Sequence, residues 1–177
     1  MTHPLFARLD EQMRLAEAEL ANLQTSDSKS RKLKSTHPGL YDEWTHRSSL
    51  AEGIRSAYTA IESMMKAVAD EIDHYEPPQG KDWHEKLIDQ LAVRVDGIRN
   101  AMLDADTKAL LHELRKFRHV VHHNYAQKLE MKKVVENHTR LKQVFASFRR
   151  DYKRLSATMQ ATESTPASGK RRSRKEQ

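Results

Sequence analysis

Between Arg115 and Tyr125 the chain gathers two arginines, a lysine, three histidines and a tyrosine, in the run Arg-Lys-Phe-Arg-His-Val-Val-His-His-Asn-Tyr. Histidine can take or give a proton near neutral pH, and arginine is a permanent cation able to grip a phosphate through two N–H groups. Together they form an inventory for phosphodiester cleavage without a metal: a base for the 2′-hydroxyl, an acid for the departing 5′-oxygen and a fixed cation for the charge on phosphorus. The positions decide whether the groups can meet. At about 100° per residue on a helix, Arg118 and Tyr125 project nearly together, whereas His123 stands about 140° from Arg118. One straight helix therefore does not carry Arg118 and His123 to the same phosphate. Either the helix ends or distorts near His122, or the same segment of a second chain completes the site across a twofold axis. The second route places two arginines and two histidines in one composite cleft.

His119 and His123 also have the i,i+4 spacing of a helical metal chelate, with His112 seven residues earlier. No carboxylate stands where a His-Glu-x-x-His motif needs one, and neither a metal nor another cofactor is expected. His119 and His122 are read as supporting or exposed residues, and Trp83 and Tyr58 as packing residues. Gly-rich phosphate loops and nucleophile elbows are lacking, which sets aside P-loop, dinucleotide-binding and serine-hydrolase chemistry.

The elements that must position these residues are helical. Only five glycines and five prolines occur in 177 residues, and apolar residues recur at intervals of three and four. A first helix is expected from about Leu5 to Leu23, ending in Thr25-Ser26-Asp27-Ser28, with the basic stretch Lys29 to Lys34 as a connector and His37-Pro38-Gly39 as a turn. A long helix follows from roughly Asp42 to Tyr75, its stripe running Leu50, Ile54, Ala57, Ile61, Met64, Val68 and Ile72, and Pro77-Pro78 stops it. Asp82 and Glu85 resemble a capping box opening a third helix that carries Leu87, Ile88, Leu91 and Val95. A fourth starts near Asp106 with Leu110, Leu114, Phe117 and Val121 on one face. The last runs from about Glu130 to Met159, with Val134, His138, Leu141, Phe145, Phe148, Tyr152 and Leu155 as its seam. The expected fold is an all-α antiparallel bundle of four to five helices over residues 1–160, with a flexible basic tail over 161–177.

Half of the formal charge of +6 comes from that tail, which holds five basic residues against two acidic ones. The remainder is only mildly basic and supports a nucleic-acid partner weakly. There is no cysteine, so no disulfide framework, zinc ribbon or thiol nucleophile is available, and a reducing cytoplasm is compatible. No stretch approaches the length and apolarity of a membrane span, and no membrane association is expected.

Arg118, four intervening residues, His123 and then Tyr125 two further on match the Arg-x4-His-x-Tyr signature of HepT toxins. From about Arg47 to Leu155 the chain also resembles HepT-like proteins of the HEPN superfamily, including the Tyr58/Glu62 stretch and the Trp83-His84 opening after a Pro/Gly turn. His119 stands where many members carry Asn. The resemblance implies a HEPN-type bundle and a ribonuclease toxin of a bacterial toxin–antitoxin system, with Arg118 and His123 catalytic and two sites meeting in a homodimer cleft. It also implies RNA as substrate, and an MntA-like minimal nucleotidyltransferase antitoxin that silences the toxin by adenylylating Tyr125. A non-catalytic HEPN module that binds RNA or protein is the alternative.

Overall fold

The computed structural model describes residues 4–80, 82–123 and 129–164, with residues 123 and 162–164 described by backbone alone. Five α-helices follow one another: α1 (Pro4–Thr36), α2 (Glu43–Glu71), α3 (Trp83–Leu91), α4 (Ala105–His123) and α5 (Met131–Ser164), with a single 3-10 turn, Pro38–Leu40, between α1 and α2. Among the described residues no strand forms, and Val95 and Arg99 make one isolated antiparallel bridge. No helix among the described residues is long and apolar enough to cross a membrane. The expected all-α bundle is the fold observed.

Helix α2 is the axis of the bundle and packs against each of the other four helices. Its start follows from Asp42, whose carboxylate accepts from Trp44 N at 2.9 Å and satisfies one of the amides left over at a helix N-terminus. Its apolar stripe is buried from Leu50 through Val68. After Glu71 the chain turns away through His74, which sits at φ 51°. The seam of α5 is buried as its spacing requires, His138 included. That helix continues to Ser164, beyond the expected end at Met159. The tail expectation otherwise falls on residues outside those described.

Three local expectations need correction. Helix α1 does not stop at Thr25–Ser28; it runs unbroken to Thr36 and absorbs the supposed connector. Ser, Thr and Asp disfavour helix interiors because they compete for backbone groups, but Asp27 here has tertiary partners. It lies seven residues after Leu20, points inward and is buried, accepting from His46 Nε2 at 2.9 Å and from Arg31 Nε at 3.0 Å. Second, α3 ends at Leu91 and leaves Val95 outside it. Arg99 folds the following loop back: its guanidinium donates to the Asp73 carboxylate and to the carbonyls of Gln90, Val93 and Asn100. Third, Asp82 makes no side-chain capping bond to α3. Glu85, expected to reach back to it, pairs instead with Arg115 of α4 at 2.8 Å.

Candidate functional site

The fourth helix presents its reactive residues on one face. Arg118, His119 and His122 stand three, four and seven positions after Arg115, so the four border one side of the helix. Leu111, Leu114 and Phe117 are buried on the core side. Opposite the stripe stands the first turn of α3, and the two elements border one cleft lined by Gly80, Trp83 and His84 on one side and the four α4 residues on the other.

Arg118 is anchored rather than free. Its Nη1 lies 3.0 Å from His84 Nε2, its Nη2 lies 3.7 Å from Glu62 Oε2, and its guanidinium carbon sits 5.9 Å from the centre of the Tyr58 ring. Glu62 in turn forms a short hydrogen bond with His84 Nδ1. Arginine can only donate, so His84 Nε2 must be the acceptor; the imidazole proton is therefore on Nδ1 and is given to Glu62. The resulting chain runs from guanidinium to neutral imidazole to carboxylate. Trp83 packs its ring against His84, centroids 3.7 Å apart, which restricts rotation of the imidazole.

Electrostatics agree with that assignment. Burial, and then the charges of Arg118, Arg115 and His119, lower His84 to about 4, so the ring is neutral at physiological pH. Burial raises Glu62 to about 7 against the pull of Arg118. Burial also pushes the Tyr58 phenol well above its ordinary range, with the charge of Glu62 adding to it. The Nε atoms of Arg115 and Arg118 are buried without a hydrogen-bond partner among the described residues, a costly state for a cationic donor.

Of the residues singled out in the sequence, the structure brings Arg118, His119 and His122 to the cleft. Tyr125 lies outside the described residues, as does the side chain of His123. The backbone of α4 remains helical through His123, so no break intervenes between Arg118 and His123. His112 is elsewhere, 3.3 Å from Asp89 beside Lys108. Among the described residues no group of three histidine or acidic side chains is arranged to hold a metal ion.

Glu62 and His84 were missed as site residues, although each left a signal. Glu62 stands one helical turn after Tyr58 on the inward stripe of α2, a carboxylate in a place that otherwise takes apolar side chains. His84 opens a helix directly after a tryptophan. Reading Tyr58 and Trp83 as packing residues fits their burial, but both also frame the site.

The sequence model of the family described as HepT-like protein matches residues 49–159, close to the stretch over which the signature and its surroundings resemble that family. Neither the curated proteins nor the solved structures give a match.

Proposed function

Because the chain belongs to the HepT-like protein family, we propose that it is the toxin of a toxin–antitoxin pair, a metal-independent endoribonuclease working as a homodimer in the cytoplasm. The observation that carries this reading is the convergence of Arg118 with neutral His84, exposed His119 and His122 on one open cleft. A cation beside imidazoles suits a phosphodiester whose anionic oxygens must be held while protons move. Arg118 binds that phosphate. His123, five residues on along an unbroken helix, reaches the substrate bound by the partner chain, so each cleft is completed by the other copy. His119 and His122 support the substrate from the same stripe.

Tyr125 is the regulatory position in this reading. An MntA-like minimal nucleotidyltransferase antitoxin transfers AMP to its hydroxyl, and the added phosphate puts negative charge and bulk where the RNA phosphate binds. Incubation of wild type, Arg118→Ala and His123→Ala with labelled RNA, with and without a chelator, tests the first claim. Cleavage that needs both residues and ignores the chelator supports it; chelator-sensitive cleavage, or equal activity in all three, overturns it. A candidate antitoxin with ATP tests the second: the intact mass should rise by one or more AMP groups as cleavage is lost, and loss without a mass change would assign silencing to binding alone.

A further inference from the structure

We propose that His84 is a catalytic residue, the general base that removes the 2′-hydroxyl proton, and that Glu62 is the positioning residue that holds it in the required tautomer. The inference rests on the ribonuclease reading above and assigns a role to two residues outside the Arg-x4-His-x-Tyr segment. His84 is on α3, yet it meets Arg118 at 3.0 Å. Its side chain is 16 % exposed at the cleft, while that of Glu62 behind it is 6 % exposed. A base must be near the cation that holds the phosphate, must be unprotonated, and must have its lone pair turned toward the substrate by a bond at the far nitrogen. His84 stands beside that cation, is neutral, and has its far nitrogen held. Nδ1–H is given to Glu62, the Trp83 ring limits rotation, and Nε2 faces Arg118.

In the unliganded chain Arg118 occupies that lone pair. When a phosphate draws the guanidinium away, Nε2 is released at the moment and place where the 2′-hydroxyl arrives, and the nearest positive charge leaves the ring. The hydroxyl proton passes to Nε2, the 2′-oxygen bonds to phosphorus, and the phosphorus–5′-oxygen bond breaks. The leaving oxygen takes a proton from the acid, His123 of the other copy. The products are a 2′,3′-cyclic phosphate and a free 5′-hydroxyl, and the imidazolium formed keeps its Nδ1–H bond to Glu62. The two protein histidines thus divide the work, with the base on α3 and the acid on α4.

The test uses the full chain and a labelled oligoribonucleotide, beside a second one in which sulfur replaces the bridging 5′-oxygen at the cleavage position. Sulfur leaves without protonation, so it relieves loss of an acid but not loss of a base. His84→Ala and His84→Gln should reduce cleavage about 100-fold with RNA affinity and circular dichroism unchanged, and the sulfur substrate should not restore the rate, whereas it should restore His123→Ala. Added imidazole should partly recover His84→Ala, an effect no packing role would produce. Cleavage by His84→Gln within about threefold of wild type, or its rescue by the sulfur substrate, overturns the assignment while Arg118 dependence persists. An inactive wild type, or activity indifferent to Arg118, sinks the ribonuclease reading and the base assignment with it.

Discussion

Among the described residues, two clusters share the same chemical parts, a buried carboxylate with histidine and arginine, and they are built in opposite ways. In the first, Asp27 of α1 accepts from His46 of α2 and from Arg31, while His138 of α5 lies 3.4 Å from its other oxygen. Tyr41 completes it with a hydroxyl 3.1 Å from His46 Nδ1. Although burial works against ionisation, the bonds from Arg31 and His46 hold Asp27 below the usual carboxylate range. In the second, Glu62 has fewer compensations and is lifted to about 7. Its arginine also faces a cleft rather than a third helix. The carboxylate with more partners joins three helices, and the one with fewer lies behind an open cleft.

Separate readouts should divide the two clusters. The largest effect expected is on cleavage: Arg118→Ala should lose RNA cleavage by about 100- to 1000-fold, while its urea-unfolding midpoint stays near that of wild type. Asp27→Asn should do the reverse. Loss of charge-assisted bonds to His46 and Arg31 in a buried place should cost about 2 to 3 kcal/mol in urea unfolding, with the rate per folded molecule unchanged. If each variant altered both quantities alike, the division between a structural and a functional cluster would collapse.

Acid and base should sharpen the contrast further. The folded chain keeps the Glu62 proton to about pH 7, whereas the unfolded chain releases it near 4.5. Within that window the folded state binds more protons, so this group's contribution is full below 4.5 and is lost as pH rises through 7. Burial of Glu62 sets this window, against the opposing charge of Arg118 on α4 and the nearby Tyr58 hydroxyl on α2. Glu62→Gln should flatten the fall in Tm between pH 5 and pH 8 and raise stability at pH 8 by on the order of 1 kcal/mol. Asp27 has the opposite sign: its folded pKa is depressed, so its contribution is present above its ordinary 3.8 and is lost only as acid takes pH through the folded value. The smallest effect is expected for Arg31→Ala. Its side chain is 53 % exposed, and solvent screening limits the loss to about 0.5 to 1 kcal/mol in the same urea measurement.

Legibility in the sequence followed how local each cause is. The stripe of α2 and the seam of α5 depend on residues three to seven apart, and their periodicity specifies them. The second half of α1 depends on His46 and His138, far along the chain, and nothing near Asp27 announces them. The Arg99 loop is likewise held by Asp73, twenty-six residues away. The same holds at the site. Arg118, His119 and His122 stood out as part of one local density of cations and imidazoles, but the company they keep comes from Glu62 and His84 on two other helices. A spacing rule along α4 cannot register a partner that arrives from across the bundle.

The hydroxyl of Tyr152 near the end of α5 is given to Phe6 O at 3.1 Å and to Asp10 at 2.7 Å, closing a span of nearly the whole chain. During synthesis α1 emerges first, and it can lay its inner face on α2 as soon as that helix follows. Arg8 near its start pairs with Glu71 of α2, whereas the contacts of Phe6 and Asp10 with Tyr152 must wait until α5 has been made. The opening of α1 is thus fastened in two stages, and until the second the side of Phe6 that faces Tyr152 is surface the growing polypeptide has yet to cover.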